Sequence, residues 1–197
     1  MISVYRLGDL VLLDLNKKEE DEILEDFPNS IASKYILEKR TSSNFNRVNT
    51  ITDLVLKHIE NNIDAFPNDI SDSTLIHVRI GDVVAGNEWH EKIKRPLPVE
   101  RIKSILSGNN DKKYVIGKPF FAKTSSRNYD ECLKMSNEYL QNVLNELEAT
   151  HFDSGNADTD LCCAIKAKVF VQGQGYFSKL IVEIRNKLHL KNIEIPK

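Results

Sequence analysis

The chain has 197 residues, 41% apolar and 28% charged, which is ordinary for a globular protein and excludes a disordered one. With 27 basic against 29 acidic side chains and a net charge of −2, it offers no electrostatic case for nucleic acid, which requires a basic surface. No stretch has the apolar length to span a bilayer, and Met1-Ile2-Ser3-Val4-Tyr5-Arg6 lacks the charged start and apolar segment of a signal peptide.

In chain order, Val4 to Leu15 is apolar and reads either as a strand or as a buried turn of helix. Lys17 to Asp26 is a densely charged helix or loop whose apolar side is Ile23, Leu24 and Phe27. Phe27-Pro28-Asn29-Ser30 is a break, Ser30 to Arg40 is helical, and Thr41 to Asn46 is a polar linker. Val48 to Ile59 brings Ile51, Leu54, Val55, His58 and Ile59 to one helical face. Residues 1–70 thus form a small N-terminal segment. Its residues leave open whether it caps a sheet, binds an acceptor or mediates self-association.

From residue 71 to 197 strands and helices alternate, predicting a doubly wound, mostly parallel, Rossmann-like α/β sheet. Leu75 to Ile80 is the first strand, and its loop runs through Trp89 and His90 to Pro98, at the start of a helix over Val99, Ile102 and Leu106. Lys113 to Gly117 is the second strand. Asn128 is placed to cap the next helix, whose stripe is Tyr129, Cys132, Leu133, Leu140, Val143, Leu144 and Leu147. Phe152 falls on a short third strand, and Asp158-Thr159-Asp160 opens a helix to Lys166. Val169-Phe170-Val171 is a strand, followed by a helix with Phe177, Leu180, Ile181, Ile184 and Leu188 on one face. Ile193 to Ile195 is an edge strand, where Pro196 is tolerated. Cys132, Cys162 and Cys163 are odd in number and form no Cys-x-x-Cys pair, so reduced thiols in a cytoplasmic setting are expected.

The first strand poses the chemical question. His77 and Arg79, two residues apart, project from one face of an otherwise apolar strand. A buried guanidinium is costly unless an anion meets it. Gly81 and Asp82 end the strand where open α/β sheets keep their ligand crevice, so a phosphate received there is the economical reading. Pairing of Arg79 with an internal carboxylate, with His77 as a core histidine, stays open at this point. A second feature is Gln172-Gly173-Gln174-Gly175, leaving a strand and opening a helix. Its glycines permit close backbone approach, and the helix start offers unpaired N–H groups, to which Ser178 adds a hydroxyl. The pattern is not the full Gly-x-Gly-x-x-Gly, which argues against nicotinamide binding. Asp158 and Asp160 stand before a helix, either as a cap and its solvated neighbour or with one carboxylate accepting from a base edge; guanine, with two adjacent donors, fits best.

His77-Val78-Arg79-Ile80-Gly81-Asp82 resembles the His-x-Arg-x-Gly motif of the α-1,2-, α-1,6- and protein O-fucosyltransferase superfamily. Asp160-Leu161, then Phe170-Val171 and Gly173-Gln174-Gly175-Tyr176-Phe177-Ser178, resembles that superfamily's third motif. The resemblance covers roughly residues 73 to 186, the donor-binding half of a two-Rossmann GT-B enzyme. It implies a metal-independent, inverting transfer of fucose from GDP-fucose to a hydroxyl of a glycan or protein. Arg79 would hold the β-phosphate, His77 the nucleotide sugar and Asp160 guanine. Gly81, Gly173, Gly175, Tyr176, Phe177 and Ser178 would line the donor site, with Ser178 and nearby backbone on the diphosphate. No cofactor and no metal are implied. Asp82 is the first candidate for the general base, with Glu88 and His90 in the same loop. Two departures stand out. The place of a second arginine found in some members is Ile80, as in the protein O-fucosyltransferase type, and the N-terminal Gly-x-Gly-Asn segment is absent. The 70 or so residues before the motif do not make a second Rossmann domain. A non-catalytic GDP-sugar module working with a partner chain is therefore the alternative.

Overall fold

The computed structural model describes residues 7–81, 83–84, 96–120 and 129–194. The N-terminal apolar run is helical: α1 (Leu7–Asp9) passes into a π turn, Leu10–Asp14, because Leu7, Leu10 and Val11 then bury together. The charged stretch forms α2 (Lys17–Asp26), set by a capping box in which Asn16 accepts the Glu19 N–H and Glu19 accepts the Asn16 N–H. Glu20 and Ile23 face inward, and the Glu20 carboxylate takes Lys39 at 3.0 Å and Arg40 at 2.8 Å from α3 (Ile31–Thr41). Ser30 and Asn46 cap α3 and α4 (Arg47–Asn61).

Strands then alternate with helices: β1 (Thr74–His77), β2 (Ile80–Gly81), α5 (Val99–Ile105), β3 (Lys113–Ile116), β4 (Pro119–Phe120), α6 (Tyr129–Leu147), β5 (Thr150–His151), α7 (Ala157–Lys166), β6 (Val169–Gln172), α8 (Tyr176–Lys187) and β7 (Lys191–Glu194). Five strands make one parallel sheet in the order β5-β3-β1-β6-β7, the mixed α/β architecture expected from the strand–helix alternation. β2 and β4 pair separately as a short parallel ribbon.

Residues alternate across the sheet with period two. Leu75, Ile116 and Phe170 join the core under α2, α3, α4, α7 and α8, whereas Ile76, Val115 and Val171 join the core under α5 and α6. Fully burying each such side chain stabilises the fold by about 1.5–3 kcal/mol. The first core runs without a break from Leu7 and Val55 to the sheet, so the N-terminal helices share it.

The first strand is not continuous from Leu75 to Ile80; it breaks at Val78 and Arg79. The Val78 N–H still donates to the Ile116 carbonyl at 2.9 Å. On the other side β6 has already ended at Gln172, so the ladder loses a partner there. α7 is capped by Asn156, which accepts the Asp158 N–H at 2.8 Å. At the opposite end of the sheet Arg185 is fully buried. Its guanidinium donates to the carbonyls of Ala164, Ala167 and Lys191 at 2.6, 2.8 and 2.7 Å and to Asn192 Oδ1 at 2.8 Å. It thereby satisfies the C-terminal end of α7. No described helix is long and apolar enough to cross a membrane.

Candidate functional site at the strand-order switch

The chain leaves β1 toward β3 on one side and returns to place β6 on the other, so strand order reverses between β1 and β6. Ligands of open parallel sheets bind outside the strand ends at such a reversal. Here the exit of β1 is His77-Val78-Arg79, and the exit of β6 is Gln172 to Gly175.

The two exits touch. A methyl group added at Gly175 would lie 3.1 Å from Arg79 Nη1 and 3.5 Å from its Cδ, so the guanidinium lies against the backbone that opens α8. Gly175 is the residue before α8, at φ 91° and ψ 172°, a conformation essentially confined to glycine. Two residues earlier along each exit, Gly173 packs on the His77 carbonyl and Nδ1 so closely that a side chain has no room. Thus His77 faces Gly173 and Arg79 faces Gly175. Arg79 is half-buried, as are Gly173, Gln174 and Gly175.

His77 is 8% exposed, its ring sits 5.6 Å from that of Phe177, and its buried Nδ1 has no hydrogen-bond partner among the described residues. Burial first, then the Arg79 charge, pushes its pKa down to about 4, so it is neutral at pH 7. Phe177 is half-buried, and Tyr176 is exposed with the Lys179 ammonium 5.0 Å above its ring. Ser178 is fully buried and accepts the Gly173 N–H at 2.8 Å, which fastens the turn to the helix it opens. Gly81 lies at φ 99°, and its N–H donates to Ser136 Oγ at 3.0 Å.

The two aspartates of α7 have separate surroundings. Asp158 is buried and accepts the Ile31 N–H at 2.8 Å, at the start of α3. Asp160 is 9% exposed and accepts the Ser154 hydroxyl at 2.6 Å. Burial raises its pKa, while the Ser154 hydrogen bond and the charge of Lys118 oppose the rise. Lys118 pairs with Asp153 at 2.6 Å at the exits of β3 and β5, so these groups also stand at the C-terminal end of the sheet.

Asp82, Glu88 and His90 lie outside the described residues. Three residues that hold the elements around the sheet in place were not singled out in the sequence. Gly8 of α1 packs on the Tyr176–Phe177 peptide with no space for a methyl, seating the N-terminal segment on the first turn of α8. Ser136 interrupts the apolar stripe of α6 at Cys132, Leu140, Val143 and Leu147. Arg185 falls four residues after Ile181, on the inward stripe of α8. The last two are polar residues at core-facing helical spacing, a pattern visible in the sequence.

No protein-family model matches the chain, and no curated protein matches it significantly. Among solved structures, it is similar to POFUT1, in the crystal structure of that protein in complex with GDP-fucose, at 13% identity and a TM-score of 0.44. The similarity covers 97% of this chain and 62% of that one, so the chain spans less than two thirds of the other's length.

Proposed function

We propose that the crevice between β1 and β6 binds GDP-fucose and that the chain transfers fucose to a hydroxyl acceptor with inversion and without a metal. The observation that carries this reading is the Arg79 guanidinium resting against Gly175 at the opening of α8. A cation beside the N–H groups of a helix start suits a diphosphate. The motif resemblance of residues 77–82 and 160–178 supports the same donor.

In this reading the acceptor oxygen attacks the anomeric carbon as its proton passes to a base, with Asp82 the candidate. The bond from that carbon to the β-phosphate oxygen breaks, and GDP leaves. Negative charge grows on the departing phosphate, where Arg79 and the α8 N–H groups stabilise it most. Neutral His77 borders the sugar without adding charge. Gly81, Gly173, Gly175, Tyr176 and Phe177 line the site, and Ser178 serves it by holding the turn. Asp160, already accepting the Ser154 hydroxyl, accepts from the guanine edge.

One observation favours a second reading, a GDP-sugar binding module that works with a partner chain. The described residues form one five-stranded sheet and a two-stranded ribbon, whereas a two-domain transferase closes two large sheets over its substrates. Two measurements separate the readings. Thermal stabilisation by GDP, and not by ADP or UDP, is expected under both. Release of GDP from GDP-fucose, abolished in Arg79→Ala, is expected only of the enzyme. Equal stabilisation by all three nucleotides, or none, contradicts the guanine diphosphate site altogether.

A further inference from the structure

A buried serine in the middle of an apolar helical stripe needs a reason, because a hydroxyl sealed from water must find partners. Ser136 is fully buried on α6 between Cys132 and Leu140. Its hydroxyl donates to the Cys132 carbonyl at 2.6 Å, the usual local bond of a helical serine. The same oxygen accepts the Gly81 N–H at 3.0 Å, across 55 positions of sequence. Gly81 lies two residues beyond Arg79 and adopts φ 99°, which only a glycine holds without strain. Its N–H is received by the Ser136 hydroxyl of α6.

Arg79 is bracketed as a result. On its N-terminal side His77 is wedged between Gly173 and Phe177. On its C-terminal side Ile80 is fully buried in the second core, and Gly81 is tied to Ser136. The β1–β6 register runs from Thr74 to Ile76, and beyond the break at Val78 and Arg79 the bond from α6 holds the β2 backbone.

We infer that Ser136 is a positioning residue: through Gly81 it fixes the direction in which Arg79 meets the opening of α8. This rests on the reading of the β1–β6 crevice as a diphosphate site. Ser136 acts through its bond to the Gly81 N–H at the strand exit.

The experiment compares Ser136→Ala with wild type and with Tyr139→Phe, a control on the same helix that removes the Tyr139 hydroxyl bond to the Leu97 carbonyl (2.7 Å). Affinities for GDP and GMP are measured by calorimetry, and hydrogen exchange at Arg79 Nε is followed by NMR in the ligand-free protein. Ser136→Ala is expected to weaken GDP about tenfold and GMP hardly at all, because only the diphosphate reaches the Arg79 grip. Arg79 Nε exchange is expected to accelerate about tenfold in Ser136→Ala and to stay at the wild-type rate in Tyr139→Phe. A merely structural serine would weaken both nucleotides alike and leave Arg79 exchange unchanged, and that result overturns the inference. If wild type binds no GDP, the site reading fails, while the Arg79 exchange rates still decide the role of Ser136. Should Ser136→Ala not fold, Ser136→Cys keeps a weak acceptor of similar size and is expected to give a smaller effect in the same direction.

Discussion

Alanine at Gly175 perturbs the contact on which the site depends, with a size that can be worked out in two parts. The backbone there sits at φ 91° and ψ 172°, a region essentially closed to side-chain-bearing residues, and holding alanine in it costs about 1–3 kcal/mol. The added methyl would also lie 3.1 Å from Arg79 Nη1 and 3.5 Å from Cδ. The guanidinium is the end of a flexible side chain, so it yields by a few tenths of an ångström and adds little to the stability loss. That displacement nevertheless moves the cation off the opening of α8. Gly108→Ala separates the parts: φ is 80° there too, and a methyl would meet nothing within 4 Å, so only backbone strain of about 1–2 kcal/mol applies. Urea unfolding should show both variants destabilised, and thermal unfolding should show the melting point lowered about 2–4 °C per kcal/mol. Calorimetry should show GDP affinity reduced about tenfold in Gly175→Ala and unchanged in Gly108→Ala. Equal GDP affinity in the two variants would refute the placement of Arg79 against the turn.

Other expectations follow from the same geometry. The His77 pKa falls from 6.5 unfolded to about 4 folded, so the unfolded chain binds the proton first and stability drops as pH falls from 6.5 to 4. The loss approaches about 3 kcal/mol, and His77→Gln, lacking that titration, should lose correspondingly less between pH 7 and pH 4 in urea unfolding. Arg185→Met strands the carbonyls of Ala164, Ala167 and Lys191 and should cost about 3–5 kcal/mol by the same assay, with no cost if the guanidinium is instead solvated. Gly8→Ala pushes the N-terminal segment off the Tyr176–Phe177 peptide; GDP affinity should fall severalfold, and an unchanged affinity would detach that segment from the site.

The parts of the fold that were legible from sequence owe this to strong local chemistry. The apolar runs at Leu75, Val115 and Val169 have room for no other element than a buried strand, and Gly173 and Gly175 mark an exit where backbone comes close to something. What that something is could not be read, because contact of Gly173 with His77 and of Gly175 with Arg79 is a property of strand order, across almost a hundred positions. The break after His77 was hidden for a related reason: Val78 and Ile80 are as apolar as the strand before them, and only the early end of β6 stops the ladder. Asp158 looked like half of a pair with Asp160, yet it serves the start of α3, a partner 127 positions away. Arg185 and Ser136 look like ordinary polar interruptions of amphipathic helices, and their roles depend on carbonyl and N–H groups of distant segments.

The most direct test of the account is calorimetric titration of wild type and Arg79→Ala with GDP and with GMP. The account predicts that wild type binds GDP more tightly than GMP by at least about tenfold, and that Arg79→Ala abolishes this preference while both proteins unfold at similar urea concentrations. Wild type that does not distinguish the two nucleotides, or an Arg79→Ala variant that keeps the full preference for GDP, would contradict it.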